Sequence, residues 1–471
     1  MLFNSAIFLV FGLLFFILWQ FLKDNNNSRL SLITISSFIF YGWWDWRFLF
    51  LIVGSGILDY IIGLLIDKHP NKRKIFLFIS IIGNIGSLAA FKYSGFIFGN
   101  IDILLSQIGI DICLKCNIPD FMLITPVGIS FYTFQSMSYT IDIYRKELKP
   151  TKNIIQFFAY LSMFPQLVAG PIVRAKDLLP QLLLKPKTTE QERWQGLRLI
   201  VHGYFKKMVL ADNLAPLVNQ AFVHENMSSS TIYWWMIITA FAFQIYFDFS
   251  GYSDIARGLA KWMGLEFNIN FNHPYTSLSL KEFWTRWHIS LSTWFKDYVY
   301  IPLGGSKGKR RNGNINMWVT MLVSGLWHGA NWTFLIWGAI HALFLNIERS
   351  LSWPKYLLKN SFTRILLILI ITMQVWVAWV FFRADNIHQA FFIITKMFSF
   401  NNDFHTPLNL GDILLITLGI FREIWVYHKF NKNSFYPKSW SLGVELSLMA
   451  IFITLIIFLR GTGNEFIYFQ F

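Results

Sequence analysis

The chain has 471 residues, of which 54% are hydrophobic and only 14% are charged. An ordinary soluble domain carries about a quarter charged residues, so the composition argues against the two or three soluble domains that the length alone would allow. Phe and Trp are abundant, at 49 and 20 residues. Phe suits surfaces that face lipid, and Trp suits the membrane interface. The composition therefore predicts one continuous membrane-embedded unit.

The net charge of +15 could suggest a nucleic-acid-binding protein, but its distribution argues otherwise. Basic residues cluster in short loops between apolar segments, at 68–74, 145–152 and 307–311. Loops rich in Lys and Arg tend to remain cytoplasmic, and none of these loops is long enough to form a soluble binding domain. We interpret the charge as a topology signal and expect no nucleic-acid partner.

The N-terminal segment, residues 1–21, has no Lys or Arg before its apolar run, and no small-residue cleavage site follows it. A cleavable signal peptide has basic residues before its apolar run and a small-residue cleavage site after it. We therefore expect this segment to be a retained first transmembrane helix.

Further apolar segments recur to the end of the chain. A helix that spans the hydrocarbon layer needs about 20 apolar residues, and we expect about ten to thirteen membrane segments in all, some of them short enough to be tilted, re-entrant or buried in the bundle. The candidates are 2–22, 30–43, 48–66, 75–91, 121–141, 154–169, 197–222, 232–247, 315–329, 332–347, 365–382, 413–427 and 442–459.

The basic loops also give an orientation for the first part of the chain. If residues 67–74 are cytoplasmic, then 145–152 and 23–29 lie on the same side and the N-terminus lies outside. The loop that holds the two cysteines, Cys113 and Cys116, then lies outside as well. A lone Cys-x-x-Cys run can be a redox pair, half of a zinc site or incidental. No second cysteine pair completes a tetrahedral zinc site, and an oxidising compartment would permit a local disulfide.

The middle of the chain, from about residue 170 to residue 313, has apolar runs that are interrupted by charge. Polar groups at membrane depth persist only where they are buried in protein or line a wet cavity. We therefore expect half-helices and interfacial helices around a cavity in this region. The interrupting residues are Arg174, Lys176, Asp177, Asp248, Asp254, Arg257, Lys281, Glu282, Arg286 and His288.

Three histidines of the second half, His288, His328 and His341, are candidates for chemistry, because ionisable groups inside a membrane bundle are costly. Burial keeps an imidazole neutral and able to accept a proton, as the transfer of an acyl group to an alcohol requires. Gly325 and Gly329 flank His328, and we expect them to let a substrate approach the backbone. The alternatives stay open: His328 could be a satisfied core histidine, His288 could belong to an interfacial anchor, and His341 is more easily explained as structural.

Other chemistries have little support in the sequence. No HExxH, GxSxG, GxGxxG or Walker motif stands in a suitable context. Asp248 and Asp254 lie six residues apart in Tyr-Phe-Asp-Phe-Ser-Gly-Tyr-Ser-Asp, but no neighbouring histidine completes a metal set. A transporter or flippase would also place charge beside broken helices, so it is the main alternative to an enzyme, and a non-catalytic scaffold is a third possibility.

Several motifs together resemble one family. Residues 283–305 read Phe-Trp-Thr-Arg-Trp-His-Ile-Ser-Leu-Ser-Thr-Trp-Phe-Lys-Asp-Tyr-Val-Tyr-Ile-Pro-Leu-Gly-Gly, and residues 325–334 read Gly-Leu-Trp-His-Gly-Ala-Asn-Trp-Thr-Phe. Both stretches closely resemble the membrane-bound O-acyltransferase family, and within it the branch of alginate O-acetylases, peptidoglycan O-acetyltransferases and proteins of teichoic-acid D-alanyl transfer. Further matches are at 92–96, 126–131, 164–172, 248–254 and 466–471, so the resemblance spans nearly the whole chain.

The resemblance implies an all-α, polytopic bundle with a central funnel, organised as one membrane domain with N-terminal helices (1–150), a catalytic core (151–350) and C-terminal helices (351–471). It implies that His328 is the catalytic histidine and that His288 occupies a second signature position, which is Asn, Asp or His across the family. We expect Trp284, Arg286, Trp294 and Trp327 to contribute to substrate binding, and Lys281, Arg286 and the loop 307–311 to attract donor phosphates.

The function that follows from the resemblance is O-acetyl transfer in the bacterial cytoplasmic membrane. The donor is expected to be acetyl-CoA on the cytoplasmic side, with no metal required. The acceptor is expected to be a cell-envelope polysaccharide, reached through a periplasmic SGNH-type transferase whose serine hydroxyl receives the acetyl group first.

Overall fold

The computed structural model describes residues 1–168, 170–223, 230–307, 310–357, 360–401, 409–429, 442–461, 463 and 466–467, with backbone only for 310–311, 355–356 and 425–429. The chain forms two compact units, one from Met1–Leu197 and Ile255–Asn268, the other from Arg198–Asp254 and Ile269–Phe471. The regular secondary structure of the described residues is helical throughout, which confirms the predicted all-α class.

The first unit contains the helices of the N-terminal part. Polar side chains begin several of them: Ser5 Oγ accepts a hydrogen bond from Phe8 N–H (3.2 Å), and Asn25 Oδ1 accepts one from Ser28 N–H (3.1 Å). Such caps satisfy backbone donors that a helix start leaves without an intrahelical partner. These helices are α1 (Ala6–Leu22), α2 (Asn26–Asp45), α3 (Leu49–Lys68), α4 (Arg73–Leu88), α5 (Ser94–Gln107), α6 (Asp120–Leu123), α7 (Ile129–Tyr144), α8 (Ile154–Leu161), α9 (Phe164–Leu167) and α10 (Ala175–Leu183).

The remaining helices belong wholly or partly to the second unit. Of these, α11 (Glu190–Tyr204) and α13 (Thr231–Trp262) have residues in both units. The others are α12 (Asp212–Val223), α14 (Leu280–Arg286), α15 (Ile289–Phe295), α16 (Arg310–His328), α17 (Trp332–Leu351), α18 (Trp353–Leu357), α19 (Ser361–Arg383), α20 (Ile387–Met397), α21 (Leu410–Lys429) and α22 (Leu442–Phe458). π-Helical turns follow α4, α11 and α15, at Ala89–Tyr93, Phe205–Ala211 and Lys296–Tyr300.

Four helical stretches among the described residues have the length and apolar composition needed to cross a bilayer: Asn26–Lys68, Pro70–Gln107, Thr231–Trp262 and Ser361–Arg383. α1 and α22 are apolar but somewhat shorter. On α1, Phe8 and Trp19 are buried whereas Leu9 and Leu13 are exposed. Apolar residues on both faces of a helix are expected when one face packs on protein and the other contacts lipid. The predicted helical membrane protein is confirmed, while the side of the membrane on which each loop lies stays a prediction.

The predicted segment 121–141 is split, since α6 and α7 are separate helices. Between them Gly128 has φ 75°, and a Cβ atom there would lie 2.7 Å from the carbonyl oxygen of Leu167. Only glycine accepts this conformation and this approach without strain. The sequence Pro126-Val127-Gly128 therefore ends one helix and begins the next.

The two cysteines form a local disulfide, Cys113–Cys116. Both thiols are consumed by this bond, so the zinc alternative for the Cys-x-x-Cys run does not hold. The segment next to them is held by Asp102, whose carboxylate accepts hydrogen bonds from the backbone N–H groups of Leu114 (2.7 Å) and Lys115 (3.0 Å).

Helix α13 is continuous through the acidic motif at 246–254, where the interrupting charges led us to expect breaks. The explanation is a set of ion pairs with the π-helical turn Phe205–Ala211. Lys206 Nζ lies 2.5 Å from Asp254, and Lys207 Nζ lies 2.8 Å from Asp248 and 2.9 Å from Asp212. All of these side chains are buried. Because each carboxylate has a cation partner, the helix can carry them through an apolar core.

We predict that Lys207→Met strongly destabilises the protein. The substitution leaves the carboxylates of Asp212 and Asp248 buried without their shared cation, and breaking a buried pair from one side costs about 3–5 kcal/mol. The thermal unfolding midpoint of the detergent-solubilised protein should fall by about 5 °C or more.

Lys185→Met is the matched control, because Lys185 pairs with Asp24 on the surface, where both side chains are exposed. An exposed pair contributes about 0–1 kcal/mol. Equal midpoints for the two variants would show that the buried network does not stabilise the second unit.

Candidate active site

His288 lies in the second unit between the short helices α14 and α15. Its backbone is in the left-handed region, with φ 42° and ψ 55°. A non-glycine residue in this region carries strain on the order of 1–3 kcal/mol, which the surrounding structure must offset. Backbone pairing with a neighbouring segment does so: Ile289 N–H donates to the Asn270 carbonyl (2.9 Å), and Asn272 N–H donates to the Arg286 carbonyl (2.9 Å).

The side chain of His288 is fully buried among aromatic rings. Its ring centroid is 4.5 Å from that of Phe249 and 6.2 Å from those of Phe271 and Trp327. Burial lowers the pKa of His288 to about 3, because apolar surroundings disfavour the charged imidazolium. The ring is therefore neutral at physiological pH, with one nitrogen that donates a hydrogen bond and one that accepts.

His328 is the last residue of α16, and it is also buried. Its ring centroid lies 5.0 Å from Trp327, 4.9 Å from Trp337 on α17 and 5.1 Å from Phe382 on α19. Three elements thus contribute to an aromatic enclosure around this histidine.

The glycines beside His328 act differently from what we expected. A Cβ atom on Gly325 would lie 2.3 Å from the backbone oxygen of Phe334, and one on Gly329 would lie 2.1 Å from the Phe334 ring. Gly338 on α17 faces Met321 of α16 in the same way, at 2.4 Å from its backbone oxygen. These glycines allow α16 and α17 to pack closely. The expectation that Gly325 and Gly329 leave room for a substrate is wrong, because protein atoms fill the space.

The structure brings the three sequence-predicted histidines into one aromatic cluster. The ring of Trp327 contacts those of both His288 and His328. The ring of Trp337 contacts those of both His328 and His341, at 4.9 and 4.8 Å. His341 is buried one helical turn after Trp337, and neither of its ring nitrogens has a hydrogen-bond partner among the described residues. The imidazoles of His288 and His328 are both buried beside Trp327 and therefore share one aromatic environment.

The predicted binding residues are distributed around this cluster. Trp284 contacts it directly, since its ring lies 5.0 Å from His341 and 5.7 Å from Trp337. Arg286 is bound by protein groups: its guanidinium donates to Glu282 (2.5 Å) and to Thr276 Oγ1 (3.1 Å). Trp294 packs against Phe295 and Tyr298. Trp284 and Trp327 thus lie beside the histidines, whereas the charge of Arg286 is already partly neutralised.

The basic groups proposed for donor phosphates are only partly described. Lys281 and Lys307 have exposed side chains. Residues 308–309 and the side chains of Arg310 and Arg311 lie outside the described part of the chain, as do Ala169 and residues 468–471 of the motifs. Within the described residues, no group of three or more His, Cys, Asp or Glu side chains is placed to hold a metal ion.

Sequence reasoning missed three residues that shape the site. Lys206 and Lys207 neutralise the acidic motif on α13, and Phe249 of this motif contacts the His288 ring. Asn270 holds the backbone beside His288, and its side-chain oxygen lies 3.3 Å from His288 Nδ1. Their only signal in the sequence was polarity within an apolar stretch.

Several known proteins are similar to this chain over most of its length. Residues 144–386 match the model of the family described as MBOAT, membrane-bound O-acyltransferase. The chain is 39% identical over 425 residues to the probable alginate O-acetylase AlgI of Pseudomonas aeruginosa, covering 89% of this chain and 79% of that protein. It is 34% identical over 437 residues to the peptidoglycan O-acetyltransferase of Helicobacter pylori, covering 85% of this chain and 80% of that protein.

The chain belongs to the membrane-bound O-acyltransferase family. It is therefore an enzyme, as the motifs predicted, and the transporter and scaffold alternatives lose their support. A weaker similarity, 28% identity over 281 residues, relates this acyltransferase to the teichoic acid D-alanyltransferase of Streptococcus thermophilus. The family match ends at residue 386 and includes both His288 and His328.

We predict that Gly338→Ala destabilises this acyltransferase and lowers its activity. The added methyl group meets the backbone of α16, which cannot move aside as a side chain would, and overpacking of this kind costs about 1–3 kcal/mol. Thermal unfolding and acyl transfer in membranes should both decrease.

Gly86→Ala on α4 is the control, because nothing lies within 4 Å of the added atom. There the substitution should be neutral or stabilise by about 0.5–1 kcal/mol through the helix propensity of alanine. If Gly338→Ala behaved like Gly86→Ala, the close packing of α16 and α17 would not be needed for the site.

Proposed function

We propose that this acyltransferase moves an acetyl group from a cytoplasmic donor, acetyl-CoA, across the membrane to a hydroxyl group, for O-acetylation of a cell-envelope polysaccharide. The observation that carries the proposal is the placement of two buried histidines, His288 and His328, beside the same ring, that of Trp327. The names of two relatives, an alginate O-acetylase and a peptidoglycan O-acetyltransferase, support the choice of acetyl and of a polysaccharide.

In the proposed reaction, the hydroxyl oxygen attacks the thioester carbonyl carbon, a C–O bond forms and the C–S bond breaks. His328 takes the hydroxyl proton as general base and returns it to the departing thiolate, so the imidazole is regenerated. Histidine suits this role because the usual pKa of an imidazole lies near neutral pH. His288 binds and orients the hydroxyl that reacts.

The aromatic rings around His328 also serve the chemistry. Water inside the site would hydrolyse the thioester, and Trp327, Trp337 and Phe382 fill the space from which water must be excluded. A low local dielectric further strengthens hydrogen bonds to the reacting oxygen. Trp284 and Trp327 contribute apolar surface against the bound acyl group.

We place the enzyme in the bacterial cytoplasmic membrane, where the donor is available on one side and envelope polymers on the other. The immediate acceptor in this proposal is the serine hydroxyl of a periplasmic SGNH-type transferase, which passes the acetyl group to the polysaccharide. The predicted orientation of the basic loops supports donor entry from the cytoplasm.

We predict that His328→Ala abolishes acetyl transfer. Membranes that contain equal amounts of wild type or variant are supplied with labelled acetyl-CoA, and the label in protein and polysaccharide is measured. Loss of a general base should reduce transfer by about 10²-fold or more. His288→Ala should also reduce transfer, because the hydroxyl is no longer oriented.

His388→Ala is the control, since His388 is an exposed histidine on α20 outside the aromatic cluster. Its transfer rate should equal that of the wild type. Undiminished transfer in His328→Ala would refute the base assignment. Label that reaches polysaccharide with the purified chain alone would exclude a required partner, whereas label on a partner serine would identify the immediate acceptor.

We also predict a role for Lys281 and Lys307 in donor binding. Charge attraction to the phosphates of acetyl-CoA acts on binding and not on the chemical step, so Lys281→Gln with Lys307→Gln should raise the apparent KM several-fold (about 3-fold or more) and leave kcat unchanged. Lys185→Gln, an equally exposed change in the first unit, is the control. An unchanged KM in the double variant would mean that these lysines serve topology alone.

A further inference from the structure

The side chain of Asn270 is buried and makes contacts on both of its polar atoms. Its Oδ1 lies 3.2 Å from Ser290 N, 2.9 Å from Ser290 Oγ and 3.3 Å from His288 Nδ1. Its Nδ2 donates to Ser253 Oγ at 3.3 Å. One amide thus connects Ser253 of α13, the left-handed residue His288 and the start of α15.

These contacts decide which amide atom faces the histidine. The backbone N–H of Ser290 can only donate, so the amide atom beside it must be an acceptor, the oxygen. The same oxygen is the neighbour of His288 Nδ1. An oxygen acceptor requires a proton on Nδ1, and a neutral imidazole has only one N–H group. The lone pair is then on Nε2.

We propose that Asn270 is a positioning residue that holds His288 in the tautomer with the proton on Nδ1 and the lone pair on Nε2, so that His288 accepts a hydrogen bond from the reacting hydroxyl. This inference rests on the proposed function, because it gives His288 a direction in that reaction. His288 does not polarise a carbonyl by donating a proton from Nε2. Instead, Nε2 accepts a hydrogen bond from the hydroxyl group and so orients the oxygen that attacks.

The choice of an amide as the partner is informative. A carboxylate in the place of Asn270 would fix the same tautomer but would also stabilise the imidazolium, as the aspartate does in a Ser-His-Asp triad. An amide fixes the tautomer without supplying negative charge. The rings of Phe249, Phe271 and Trp327 around His288 do not ionise, and the nearby Arg286 is paired with Glu282. The arrangement keeps His288 neutral and leaves proton removal to His328.

Two substitutions at Asn270 distinguish a role in positioning the His288 imidazole from a role in structural support alone. Asn270→Asp retains an oxygen that accepts from Ser290 and from His288, but the carboxylate and the imidazole then titrate as a pair at higher pH. Transfer by Asn270→Asp should approach the wild-type rate at alkaline pH and fall off on the acid side at a pH at least about one unit higher than in the wild type. Asn270→Ala, which lacks any acceptor, should lose about 10-fold or more in kcat at every pH.

The tautomer can also be observed without activity. Nitrogen-15 NMR of histidine-labelled protein in membranes distinguishes a protonated from an unprotonated ring nitrogen, and the His288 signals are assigned by their loss in His288→Ala. We expect Nδ1 of His288 to be protonated in the wild type and the signals to change in Asn270→Ala. Asn272→Asp is the matched control for Asn270→Asp, because it makes the same substitution two residues further along the same segment.

The outcomes distinguish the two levels of inference. A pH profile of Asn270→Asp that superimposes on the wild type would reduce Asn270 to a structural residue, and a proton on Nε2 of wild-type His288 would overturn the tautomer assignment. Absence of acetyl transfer in the wild type, with Nδ1 protonated as expected, would refute the proposed function while the tautomer assignment stands.

Discussion

A lysine ammonium among apolar side chains must have a carboxylate beside it, and this requirement shapes the second unit. Lys206 and Lys207 lie on a π-helical turn, and between them they neutralise Asp212, Asp248 and Asp254. Desolvation of either lysine without these partners would cost several kcal/mol. The pairs connect the turn to α13 and hold that helix continuous where its sequence looks interrupted. The same carboxylate of Asp248 accepts a hydrogen bond from the backbone N–H of Ile467 (2.7 Å), which draws the described C-terminal residues to the helix.

This network reaches the candidate site through packing. Phe249 follows Asp248 directly, and its ring contacts both Phe466 and His288. The position of His288 therefore depends on charges that do not contact it. Changes in the ion pairs should affect activity because they displace Phe249. The geometry of the site therefore depends on packing throughout the second unit.

Much of the fold could be predicted from the sequence. Apolar length predicted the helices, because burial and lipid contact both select for it, and the motifs around His288 and His328 predicted the family. The break at Gly128 and the unbroken helix α13 were missed for related reasons. The left-handed backbone of Gly128 is determined by its close approach to Leu167. Asp254 on α13 depends on Lys206, which lies 48 residues away along the chain. Both features are thus determined by tertiary neighbours. Gly325 and Gly329 were misinterpreted in the same way, since only the structure shows that Phe334 occupies the space beside them. Asn270 carries no motif at all, and its importance appears only when Ser290 and His288 are found beside it.

The left-handed backbone at His288 limits which amino acids can occupy that position. Outside glycine, Asn, Asp and His are the residues that adopt this conformation most readily, and they are also the types that the family resemblance implies at its second signature position. A β-branched residue there would be strained before any chemistry was considered. The backbone conformation thus limits the chemistry that is possible at this position. Many side chains can form hydrogen bonds in an apolar site, but only those that tolerate the left-handed turn between α14 and α15 can be placed here.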